Sequence, residues 1–106
     1  MVFGQKKSRE LKAPPAAASD PDSAEVLRAW IVNRGLQVSL QPMAFGPEGH
    51  VWGMLLVDIA RHVARAIHAE TGTAEMTTLH KIKEMLDAEW DNATDPGTTE
   101  KAPKGH

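Results

Sequence analysis

None of the 106 residues is cysteine. That excludes a disulfide framework, thiolate nucleophiles and any cysteine-ligated zinc site, and it fits a reducing compartment. A long apolar run is also missing. The longest, residues 51–60, contains Asp58 and leads straight into Arg61, well short of the roughly 20 apolar residues that a membrane span needs. Charge of one sign is scarce. The formal net charge of −2 gives no pull towards nucleic acid or an anionic membrane. Between residues 24 and 92, six basic side chains stand against nine acidic ones, the reverse of the basic face that phosphate neutralisation requires. There is no G-x-S-x-G elbow, phosphate-binding loop, dinucleotide fingerprint or His-Glu-x-x-His pair, so an enzyme is not expected. Lys6, Lys7 and Arg9 precede Ala16-Ala17-Ala18, but Lys12, Pro14 and Pro15 interrupt the apolar stretch of a secretion signal. A cytoplasmic protein is expected.

What is present centres on residues 51–70. Trp52, Leu55, Leu56, Ile59, Val63, Ala66 and Ile67 recur at three- and four-residue spacing, which stacks them along one side of a helix. Asp58, Arg61, His62 and Arg65 fall on the other side. Gly72 stands where a left-handed C-cap residue is expected. Gly53 interrupts the first turns and lowers helix propensity by roughly 1 kcal/mol relative to Ala. It marks either a mobile first turn or the close approach of another backbone. A second helix follows, with Thr73 as its expected N-cap and Met76, Leu79, Ile82, Leu86 and Trp90 as its apolar stripe.

Ahead of these helices, residues 24–41 read as a β-hairpin. Residues 26–32 are rich in β-branched and aromatic side chains, and residues 36–41 alternate apolar and polar. A two-residue loop over Arg34-Gly35 would place a long side chain at positive φ. A three-residue loop over Asn33-Arg34-Gly35, with Gly35 left-handed, is therefore preferred. It pairs Val32 with Leu36 and Trp30 with Val38. It also gathers Val26, Trp30, Val32, Leu36, Val38 and Leu40 on one face. Leu27, Ala29 and Ile31 then lie opposite, with Gln37, Ser39 and Gln41. Pro42 ends the second strand, and Met43 and Phe45 are placed as plugs between sheet and helix.

Residues 1–23 and 93–106 lack apolar periodicity and read as disordered tails, the first with a mildly basic tip. The expectation is one small α+β domain over residues 24–92 in the order β-β-α-α, with apolar content of 42%. Such a domain has a small core. Two strands are marginal alone, and their open edges invite a second chain. A homodimer that joins two hairpins into a four-stranded sheet would bury Leu27, Ala29 and Ile31, the candidate interface.

Candidate chemistry is thin. Asp58 and His62, four apart on one side of the central helix, form a possible metal pair, with His50 as a further ligand; such pairs more often stabilise the helix itself. Arg61, His62 and Arg65 form a candidate partner face. Trp30, Trp52 and Trp90 come from three elements. They converge either as core or, less commonly, around a small ligand. The alternative to an interaction module is thus a ligand- or metal-binding domain; no catalytic residue and no cofactor is assigned.

One resemblance is carried by Ala24-Glu25-Val26-Leu27-Arg28-Ala29-Trp30, Gly35-Leu36-Gln37-Val38-Ser39-Leu40, Val51-Trp52-Gly53, Leu56-Val57-Asp58-Ile59-Ala60-Arg61-His62 and Asp87-Ala88-Glu89-Trp90-Asp91. These segments resemble a family of short, mainly alphaproteobacterial proteins known only as a domain of unknown function. The resemblance spans residues 24–92. It implies a single small domain and no assigned activity, cofactor or catalytic residue.

Overall fold

A computed structural model describes residues 9–94 and 97–101. The order is α1 (Pro15–Ser19), β1 (Leu27–Val32), β2 (Gly35–Leu40), α2 (His50–Thr71), α3 (Glu75–Trp90) and β3 (Thr98–Lys101). The fold is α+β, with the expected hairpin followed by the two expected helices. β3 is an addition. It runs parallel to β2 along that strand's outer edge, so the sheet order is β1-β2-β3. The segments expected as tails therefore carry structure, a one-turn helix at Pro15–Ser19 and a strand at Thr98–Lys101. The strand is polar and exposed and is held by ladder pairing with β2, which leaves no apolar pattern to read. Lys6 and Lys7 of the basic tip lie outside the described residues, as does His106.

The hairpin turn differs from the expectation. Val32 pairs with Gly35, so the loop is the two residues Asn33 and Arg34, at φ 51° and 68°. Both central positions lie in the left-handed region, as a primed turn demands. That turn matches the twist of the flanking strands, and the match outweighs the strain at Arg34. The register moves with the turn. Leu27 pairs with Leu40, Ala29 with Val38 and Ile31 with Leu36. These six apolar side chains share one face, and Trp30 turns to the other with Arg28, Gln37 and Ser39. The half-polar surface expected around Leu27, Ala29 and Ile31 is in fact wholly apolar.

α2 ends as expected. Gly72 sits at φ 78° and its N–H bonds the His68 carbonyl at 2.8 Å. α3 starts after Ala74, not Thr73, and has no side-chain cap. Thr73 instead belongs to the turn, where its N–H bonds the Thr71 hydroxyl at 3.2 Å and its carbonyl lies 2.9 Å from His68 Nδ1. α2 packs on α3, and Ala64 on α2 is the one fully buried apolar residue among those described. Among the described residues no strand packs against α2 or α3. Residues 41–49 join the two layers through consecutive turns, Ala44 N–H to Gln41 carbonyl and Gly46 N–H to Met43 carbonyl, each 3.1 Å. Phe45 meets Trp52 edge-on, with centroids 5.2 Å apart. Phe45 thus pins the start of α2, while Met43 stays exposed. Among the described residues nothing outside the helix's own backbone lies within 4 Å of the space a Cβ on Gly53 would fill, so none of them approaches closely enough to require that glycine.

Gly97 holds β3 in place. Its φ is 67°, and a Cβ there would sit 2.5 Å from the Leu36 carbonyl oxygen. Gly97→Ala is expected to release β3 while the hairpin survives. Hydrogen exchange would show protection lost at residues 98–101 and kept at residues 27–40.

Candidate functional site

The new register makes the sheet face the most distinctive surface of the molecule. Leu27, Val38 and Leu40, towards the connection to α2, are half-buried. Towards the turn the face is open: Ile31 is 73% and Leu36 42% exposed. Ile31 and Leu36 thus form an open apolar patch on that face. The predicted interface residues Leu27, Ala29 and Ile31 are together here, joined by three that the sequence reading had placed on the opposite side.

α2 presents a second open apolar surface. Leu56, Ile59, Val63 and Ile67 are all exposed, although they lie on the helix's apolar side. α3 covers the edge of that side where Ala64 sits and leaves the rest uncovered. On α3, Met85 and Leu86 are exposed, and Trp90 is 74% exposed. The three tryptophans do not converge. Trp30 is on the sheet, Trp52 is held by Phe45, and Trp90 stands in solvent. They form neither a common core nor a pocket.

The polar candidates are spread out. Arg61, His62 and Arg65 are exposed on the side of α2 away from Leu56 and Val63, and Arg65 Nε turns back to the Arg61 carbonyl at 3.5 Å. Asp58 and His62 share the outer surface of α2. Among the described residues no three His, Asp or Glu side chains are grouped to hold a metal ion. His50 pairs with Glu48 instead, at 3.3 Å. On α3, Lys83 and Asp87 pair across one turn at 2.7 Å.

Sequence reasoning missed one cluster. Arg28 pairs with Glu25 at 2.9 Å and with Glu10, eighteen residues upstream. The hydrogen bond to Glu25 and the charges of Glu10 and Glu25 raise the Arg28 pKa above its ordinary value. These pairs fasten the segment around Glu10 beside β1, and an open hollow of about 930 Å³ lies between that segment and the strand, with Leu11, Pro14 and Trp30 among its walls. With two carboxylates already on its guanidinium, Arg28 positions this segment and is not an open anion grip. No local signal in the sequence joins residues so far apart.

The comparisons agree with this fold. The chain belongs to the family described as a domain of unknown function, DUF5076, whose model it matches over residues 10–94. The match begins at residue 10, so the segment fastened by Arg28 is part of the family domain. A solved structure described as "a putative pyruvate dehydrogenase from the photosynthetic bacterium Rhodopseudomonas palustrus CGA009" is similar at 36% identity and TM-score 0.68, over 93% of this chain and all of that one. No curated protein matches the chain.

Because its ion pairs are exposed, Arg28 acts on the position of the N-terminal segment more than on global stability. Arg28→Ala is expected to raise hydrogen exchange at residues 9–14 and to leave the thermal midpoint of the rest nearly unchanged.

Proposed function

We propose that this protein is a non-enzymatic interaction module that acts as a homodimer in the cytoplasm. The observation that carries this reading is the open apolar sheet face, with Ile31 73% exposed towards its turn end. Fifteen large apolar side chains are exposed among the described residues, while the burial that would stabilise so small a chain is nearly absent. Self-association is the simplest source of that burial, because a twofold dimer needs only one surface type and is the commonest symmetric assembly. β3 occupies the outer edge of β2, which leaves β1 as the hairpin's open edge; the apolar face of the sheet is the surface we assign. Leu27, Ala29 and Ile31 are its contact residues. Arg61, His62 and Arg65 remain exposed on the polar side of α2, as the face offered to a further protein. The lack of cysteine fits a reducing compartment. No helix among the described residues is long and apolar enough to cross a membrane.

The test is the solution mass of the full chain, by light scattering across a concentration series. A dimer is expected. Burying an isoleucine contributes about 1.5–3 kcal/mol and a twofold dimer buries two, so Ile31→Lys is expected to weaken association roughly 100-fold or more with helical circular dichroism retained. A wild-type chain that stays monomeric at every concentration would overturn the reading.

A further inference from the structure

Two apolar layers of this chain stand open at once. One is the sheet face of Leu27, Ala29, Ile31, Leu36, Val38 and Leu40. The other is the side of the helical pair that presents Leu56, Ile59, Val63 and Ile67. A sheet with one apolar face and a helix pair with one apolar stripe are the two layers of an α+β domain, and each ordinarily buries the other. Here they do not meet within the chain.

The dimensions of the two layers match. Three strands about 4.8 Å apart place the outer strand axes roughly 10 Å from each other. Two packed helices have axes about 8–10 Å apart. The helical pair is thus the width of cover that this sheet requires. The connection explains why the pair does not close on its own sheet. Residues 41–49 are set by two consecutive turns and by the edge contact of Phe45 with Trp52, which together direct α2 away from the strands.

The size of the chain points the same way. Its radius of gyration is 16.4 Å, where a compact chain of this length has about 13 Å. Its accessible surface is 9539 Å², where a compact monomer of its mass exposes about 5,800 Å². That excess exceeds the roughly 800 Å² that a stable interface hides on each partner, and the fifteen exposed apolar side chains contribute to it.

We propose that two copies exchange layers: the α2–α3 pair of each covers the β-sheet of the other, so that each hydrophobic core is built from two chains. This rests on the self-association proposed above and names the surfaces that meet. It differs from like-on-like dimers, in which sheet packs on sheet or α2 packs on α2, and from a monomer whose helices fold back.

The absence of cysteine makes the test clean, because every thiol is then an introduced one. Full-length Ile31→Cys and Ile59→Cys chains, each with a single cysteine, are unfolded, mixed, refolded together and treated with a short bifunctional maleimide. Layer exchange predicts a covalent dimer in the mixture whose peptide map joins position 31 of one chain to position 59 of the other, and little covalent dimer from either variant alone. Leu36→Cys with Val63→Cys repeats the test on a second pair. Covalent dimers from each variant alone, with no mixed link in either pair, would overturn layer exchange while leaving self-association intact. So would a dimer, by light scattering, that gives no cross-link in either pair. A monomeric wild-type chain would overturn both.

Discussion

The connection between β2 and α2 is the constraint on which the rest of the structure depends. Nine residues, 41–49, contain two prolines, Pro42 and Pro47, and two successive turns. Phe45, at their middle, packs edge-on against Trp52 of α2. Had the connection brought α2 back across the strands, Leu56, Ile59 and Val63 would have had Leu27, Ala29 and Ile31 to pack on. The chain would then hold an ordinary two-layer core. Because the connection leads elsewhere, each layer is left with a finished shape and an unburied face.

That separation also reorders what counts as a functional surface. The polar features that first attract notice are the histidines, the Asp58 and His62 pair and the two arginines of α2, and they are scattered over exposed helix surface. The apolar features are the ones the fold concentrates. A single register change at the hairpin brings six apolar side chains onto one face, and this results from a turn of two residues. The ion pairs of Arg28 then fasten the N-terminal segment beside β1, a second long-range contact beside the pairing of β3 with β2.

Family membership agrees with the physical reading in its extent. The family match opens at residue 10, ahead of the first strand, where Glu10 meets Arg28. The similarity to the Rhodopseudomonas structure covers nearly the whole chain at TM-score 0.68, so the overall fold is shared with that protein.

The elements that local pattern controls were legible in the sequence. α2 announced itself through three- and four-residue apolar spacing and a glycine stop, and α3 and the two hairpin strands were equally readable. The candidate residues Leu27, Ala29 and Ile31 were also rightly grouped on one face. Their neighbours were not, because a register shift of one residue reverses a strand's faces and the expected loop took in Gly35, which instead opens the second strand. Asn33 and Arg34 accept left-handed backbone conformations that propensity disfavours, since the twist of the paired strands rewards them. β3 was illegible for a different reason: four polar residues become a strand only because β2 offers an open edge. The pairing of Glu10 with Arg28 lies equally beyond local pattern. The sequence by itself determined which segments are helical or extended, since periodicity and capping act within a few residues. Only the tertiary structure decided that the two layers stand apart, because the path of a connecting loop depends on contacts between residues that no local spacing relates.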